Sequence, residues 1–489
     1  MRLANGHHGP GLRGIKNKAP IPECHGIYGV SESGVQPDPA TINRHFLPIE
    51  SGGVYVHRPL LRLRKAHLYE LCRSNRVGWF EDPTNADASL TMRNTVRALM
   101  RARRLPQALK VGPLLRLSRR TADTEFLRER RANAMFQCLT LRLDNRSSML
   151  TVSVPPALFA PPAPDEEDIY SRFWHLFKAV DDVEESRWTA ALVTRRLLEM
   201  VSPNEKISLQ DTEQGAKRLF PLLFREEELD NSLSKSISVA NTTITKLPDG
   251  WTGRRSDIPS EIDKPGSQSI DIKSSSFLIQ RQKLGSAQED LVSYTILDSV
   301  GKPDESHDPV WTEWTLFDGR FWIRIRYHPS MRIPGRTLTV RMLKKSDMDN
   351  MRKSRLKSMR KSEAEIATKL KHATNKPVVV HDRLEELESL LAQCAPGKTR
   401  FTLPVIVQGY DWKMSSGEVQ HVEDVCALPS IGWGSEGWHK SGLEDDCKQR
   451  NRLSWEFQCR YKKIEYGPSG GHLMRSVGPT VREALRREE

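Results

Sequence analysis

The residues best suited to chemistry lie between Trp79 and Arg97. There the chain reads Trp79-Phe80-Glu81-Asp82-Pro83-Thr84-Asn85-Ala86-Asp87, followed shortly by Arg93-Asn94-Thr95-Val96-Arg97. A guanidinium stays charged and offers a planar fork of donors that matches phosphate. Arg93 and Arg97 are four apart, so on a helix they project from one face. That face serves either a phosphate-bearing ligand or simply the solvent. Asp82-Pro83 with Asn85 has the composition of an Asx-type turn that caps the next segment, and Trp79 suits a core anchor. Glu81 and Asp87 are carboxylates near the arginine helix and could orient it by charge pairing.

Those residues need elements to hold them. Val54-Tyr55-Val56 reads as the end of a strand, with a proline-fixed exit at Arg58-Pro59. A short helix follows, with Leu68, Leu71 and Cys72 at helical spacing, and a basic helix then opens at Arg93-Asn94. Composition sets 1–110 apart, with a Ser/Gly/Pro-rich insertion at 31–53. Residues 111–230 are mainly helical, with amphipathic spacing at Phe173, Leu176, Phe177 and Val180 and at Leu192, Leu197 and Met200. A hairpin is expected around Asp144-Asn145. Residues 231–300, especially 252–276, are polar and rich in Ser, Pro and Gly, as a linker or surface insertion would be. Over 301–489 a small α+β domain is expected, with strands from Trp311 onward around a tight Asp318-Gly319 turn, strands at TLTVRML, FTLPVIVQGYDWK and DVCALPSIGW, and a basic helix over 345–372.

The 489-residue chain carries a net charge of +13 and a pI near 9.4, which favours polyanionic partners. Between Arg58 and Arg131 eighteen Lys/Arg face seven Asp/Glu, an excess of eleven. Most of the net charge therefore sits around the candidate site. No apolar run approaches the ~20 residues needed to cross a bilayer, and no membrane partner is expected. The seven cysteines are scattered and never spaced C-x-x-C, which argues against a disulfide framework or a zinc site and for a reducing compartment. His7, His8 and His25 near Cys24 form no tetrahedral set, and no metal ligand is assigned.

RPLL at 59–61 with its preceding arginine, then W-x-E-D-P-[ST]-N-x-D, then R-N-x-x-R at these separations resembles the tRNA(Ile)-lysidine synthetases of the PP-loop ATPase family. Met1, Arg2, Leu3, Gly9, Gly11, Leu12, Gly14 and Ile15 fit the tail of a further family pattern. The resemblance implies a partial PP-loop/Rossmann-like α/β domain, with 1–110 as the C-terminal part of that nucleotide-binding domain, then a helical region, then a small α+β C-terminal domain. It implies ATP-dependent joining of free lysine to the wobble cytidine of tRNA(Ile) through an adenylated cytidine, with ATP and Mg2+ as substrate and ion. Arg97 takes the catalytic role. Gly9, Gly11, Arg13, Gly14, Arg58, Arg93 and Asn94 bind ATP or tRNA, and Glu81, Asp82, Asn85 and Asp87 shape the site. The basic stretch around Lys344-Lys345 and 352–371 either contacts the tRNA body or faces solvent.

The same resemblance places the family's S-G-G-x-D-S loop and acidic helix upstream of Met1. Ser51-Gly52-Gly53 lacks the loop's Asp and Ser and reads as a turn into a strand. The 489 residues alone are accordingly expected to bind tRNA without forming lysidine, and the alternative to a synthetase is a tRNA-binding remnant or one half of a split PP-loop enzyme. In 1–110 the expectation is a parallel sheet with an exposed edge, and a cleft joining Gly9–Gly14, Arg58, Glu81, Asp82, Arg93, Asn94 and Arg97. In a eukaryote such an enzyme is expected in a mitochondrion or other organelle, and otherwise in the cytoplasm.

Overall fold

Two short strands carry the chain toward the candidate site. β1 (Lys18–Ile21) pairs with β2 (Val54–His57), and the ladder is antiparallel, from Lys18 opposite His57 to Ile21 opposite Val54. The parallel sheet expected in 1–110 is therefore not found among the described residues. Four-residue strands carry too little pattern to fix direction, which here is set by a chain reversal between Ile21 and Val54. The computed structural model describes residues 9–24, 26–28, 53–154, 183–224, 236–248, 275–285, 288, 291–297, 310–327, 336–354, 383–413, 419–434 and 455–462. The expected helix over 168–180, the 31–53 insertion apart from Gly53, and most of the 252–276 and 345–372 stretches lie outside them.

After β2 come α1 (Lys65–Ser74), α2 (Met92–Arg101) and the long α3 (Val111–Gln137). Every buried apolar side chain among the described residues lies at or beyond Ala132. Before it only Gly53 and Asn94 are buried. The core thus begins at the C-terminal end of α3.

That core belongs to a five-stranded antiparallel sheet in the order β3-β4-β7-β6-β5. The strands are β3 (Thr140–Asp144), β4 (Met149–Val154), β5 (Ile237–Val239), β6 (Thr242–Lys246) and β7 (Ser275–Arg281). Leu141, Leu143, Leu150, Val152, Ile244, Phe277 and Ile279 pack with Ala190, Val193, Leu197 and Met200 of α4 (Val183–Val201) and with Ala216 and Leu219 of α5 (Leu209–Leu219). The hairpin at Asp144-Asn145 is as the sequence implies, and the described residues of 111–230 hold α3, α4 and α5 beside it. The 231–300 stretch differs from a linker, since it contributes β5, β6 and the central strand β7. Their apolar alternation is only three to seven residues long and is diluted by polar neighbours.

The C-terminal half builds two four-stranded antiparallel sheets. One holds β10 (Thr315–Phe317), β11 (Phe321–Tyr327) and β15 (Trp455–Tyr461), with β9 (Val310–Trp311) also on β11. The other runs β14 (Val419–Ala427), β13 (Pro404–Lys413), β12 (Arg336–Met342), β8 (Ser293–Leu297). Alternation along β13 explains its wholly apolar LPVIV. Ile406 packs toward Phe321, Ile323 and Ile325 of the first sheet, while Val405 and Val407 pack toward Leu387 and Leu391 of α6 (Arg383–Cys394). Residues 345–354 are helical. Helices and sheets together make this a mixed α/β chain.

A buried polar node ties the halves together. Asp318 (φ 47°) and Gly319 (φ 59°) form the expected tight turn. A Cβ on Gly319 would lie 2.4 Å from the Pro203 carbonyl oxygen, so only glycine fits. The Asp318 carboxylate accepts from Arg281 Nε at 3.0 Å and Arg320 Nε at 2.8 Å. Arg320 also donates to Ser148 Oγ at 3.0 Å and the Thr402 carbonyl at 2.6 Å. Lys462 Nζ donates to the Ser202 carbonyl at 3.1 Å. Burial, with the nearby Arg320 charge adding to it, pushes the Lys462 ammonium down to about 7.

Candidate nucleotide and RNA site

The site is assembled from α1 outward. Lys65, Tyr69 and Arg73 fall at i, i+4 and i+8 and so share a face of α1. Two residues past the end of the helix Arg76, at φ 52°, takes the left-handed position usual for glycine, and Val77 N–H returns to the Cys72 carbonyl at 2.8 Å. This reversal lays Trp79 back on the helix face. Its ring centroid lies 5.3 Å from that of Tyr69 and 6.0 Å from the Arg73 guanidinium, while Lys65 sits 4.9 Å from the Tyr69 ring. Glu81 fixes the far side, accepting from Lys65 Nζ at 3.3 Å and from the Tyr69 hydroxyl. Trp79 is not the core anchor its type implies, because it remains 45% exposed over a helix with no buried residue.

The acidic turn is a capped 3-10 turn, Pro83–Ala86. Asp82 accepts from Thr84 N–H at 2.9 Å and Thr84 Oγ1 at 2.7 Å. Asp87 accepts from Ser89 N–H at 2.8 Å and Ser89 Oγ at 2.6 Å. The Thr84 and Ser89 donors hold the two carboxyls below the usual carboxylate range.

Helix α2 then clamps the turn. Thr91 caps the helix, accepting from Asn94 N–H at 3.2 Å. Asn94, only 8% exposed, uses Nδ2 to donate to the Thr84 carbonyl at 3.0 Å and the Asp87 carbonyl at 2.9 Å. Thr95 Oγ1 donates to the Ala88 carbonyl at 2.6 Å, and Arg97 Nη1 donates to Asn85 Oδ1 at 3.1 Å. Four residues singled out in sequence, Asn85, Asp87, Asn94 and Arg97, are thus bonded in one unit, with Asp82 capping its turn. Arg93 stands exposed in the first turn of α2, which carries no acidic side chain. Glu81 is bonded to α1 and not to the arginine helix.

The remaining candidates are held at other places. Gly9–Arg13 is a 3-10 helix followed by Gly14 at φ 95°. Ser118 of α3 donates to the Arg13 carbonyl at 2.7 Å, and a Cβ on Gly14 would approach Ser118 Oγ at 3.4 Å. Arg58 braces the β1–β2 ribbon, its N–H donating to the Asn17 carbonyl at 2.8 Å and its Nη1 to the Lys16 carbonyl at 3.3 Å. Sequence reasoning missed Lys65, Tyr69, Arg73 and Phe80 as parts of the site. The four-residue spacing of the first three was the available signal.

Residues 47–103 match the family model of the PP-loop domain. The matched stretch spans β2, α1, the acidic turn and α2. No curated protein and no solved structure matches the chain. The PP-loop match supports the PP-loop ATPase family, whose members bind ATP, usually with Mg2+, and are generally enzymes. The arginines of α2 fit phosphate chemistry. Among the described residues no three His, Cys, Asp or Glu side chains converge as a metal site, so no ligand of Mg2+ is assigned. No helix among them is long and apolar enough to cross a membrane, and none of their six cysteines forms a disulfide.

Proposed function

We propose that the chain serves lysidine synthesis, the ATP-dependent joining of lysine to the wobble cytidine of tRNA(Ile). The observation that carries this reading is the bonded unit of Asn85, Asp87, Asn94 and Arg97 inside the PP-loop match. Asn94 fixes the turn to the helix, and Arg97 is held by Asn85 at a defined angle. Arg93 adds charge to the positive end of α2, whose first turn carries no acidic residue, an arrangement that costs helix stability unless an anion lies near. Preorganised positive charge of this kind stabilises a phosphate as its bond to the leaving group breaks.

A second reading, binding of the same tRNA without catalysis, is favoured by the thin packing of this region, where among the described residues only Gly53 and Asn94 are buried before Ala132. One experiment separates the two. The 489-residue chain is incubated with tRNA(Ile), ATP and lysine, and the tRNA is digested and weighed by mass spectrometry while binding is followed by filter retention. Binding with ATP- and lysine-dependent lysidine supports the synthetase, and binding without product supports the second reading. Absence of tRNA binding refutes both.

A further inference from the structure

Phe80 lies between two residues with structural partners and has no such use itself. It is 90% exposed, although its neighbours Trp79 and Glu81 are locked onto α1. The backbone that carries it is pinned on both sides, by the stack of Lys65, Tyr69, Trp79 and Arg73 before it and by the Asp82 cap after it. A rigid, exposed aromatic ring is costly in water and is a suitable surface for another ring.

The surroundings select the kind of ring. Arg73 and Lys65 line the α1 side, Arg93 and Arg97 stand on α2, and the Arg58–Arg131 stretch carries an excess of eleven positive charges. Asp82 and Asp87 direct carboxylate oxygens into their own turn. An apolar ring set among cations matches a base on a polyanionic backbone, and unpaired bases are the ones free to stack on aromatic side chains. We propose that Phe80 forms a stacking surface for one unpaired base of an RNA loop, with Arg73, Arg93 and Arg97 taking the flanking phosphates. This assignment rests on the RNA-directed reading above and names the part of the RNA that the site meets.

The test compares Phe80→Ala and Phe80→Tyr with the parent protein, using a stem-loop RNA with an unpaired loop and a blunt duplex of the same stem. Stacking on an aromatic side chain is sequence-tolerant and is lost on truncation to alanine, so Phe80→Ala is expected to weaken stem-loop binding about 5- to 150-fold. Duplex binding, the dependence of affinity on salt, and the melting temperature should not move, because the ring is uncharged and lies 90% exposed outside the core. Phe80→Tyr should restore stem-loop binding. Equal affinity of the alanine variant and the parent for the stem-loop overturns the proposal, as does an equal loss for stem-loop and duplex. Loss of self-association in sedimentation, with RNA affinity unchanged, makes Phe80 a protein contact and also overturns it. Failure of the parent protein to bind any RNA would instead defeat the functional reading itself.

Discussion

Replacing Asn94 with alanine tests whether α2 holds the acidic turn in place. The change removes two donations from one buried amide, to the carbonyls of Thr84 and Asp87. Each neutral hydrogen bond contributes ~0.5–1.5 kcal/mol net, so the turn should lose ~1–3 kcal/mol against its local opening. At ~1.4 kcal/mol per tenfold, the open state becomes about 5 to 150 times more populated. The amides of Asn85 and Asp87 report this directly, because they donate inside the turn to the carbonyls of Asp82 and Thr84. Amide hydrogen exchange should quicken by that factor at both positions and stay unchanged in the β3–β4 hairpin, which belongs to the separate core. Asn94→Asp should be worse than alanine, since it sets a carboxylate against two carbonyls. Unchanged exchange at Asn85 and Asp87 in the alanine variant would refute the clamp.

Two further predictions concern the node between the halves. The folded protein holds Lys462 near pKa 7, whereas an unfolded chain leaves it near ~10.4. The unfolded state therefore binds the extra proton between about pH 7 and pH 10, and stability should rise with pH across that window and level off below it. Melting temperatures across the range check this, and Lys462→Met should flatten the rise. Asp318→Asn keeps a residue that tolerates positive φ but leaves the Arg281 and Arg320 guanidiniums buried without their carboxylate. A loss of about 3–5 kcal/mol is expected in urea denaturation, and a loss of less than ~1 kcal/mol would contradict the role given to that pair.

What the sequence makes legible is local and conformational. Asp318-Gly319 demands positive φ at successive residues, so the hairpin of β10 and β11 follows from two letters. Asp82-Pro83-Thr84-Asn85 spells a capped turn, and the basic helix that follows is read at Arg93-Asn94, one residue after its start at Met92. The apolar LPVIV reads as a strand because both of its faces are covered. Pairing over distance is not legible in this way. The direction of β1 against β2 depends on a chain reversal, and β5, β6 and β7 are short apolar runs embedded in polar sequence. Trp79 has the composition of a core residue but lands on a helix with no core beneath it. Arg281, Arg320 and Lys462 look like surface charges until the fold brings Asp318 and the Ser202 carbonyl to them.

In the proposed reading Arg97 meets a phosphate of the RNA. It is tested most directly by tRNA(Ile) binding to the parent protein and to Arg97→Ala over a range of salt concentrations. Affinity should fall linearly on logarithmic axes as salt rises, and the variant should bind more weakly with a slope shallower by about one, the signature of one lost phosphate contact. Identical affinity and slope for the two proteins would contradict the account.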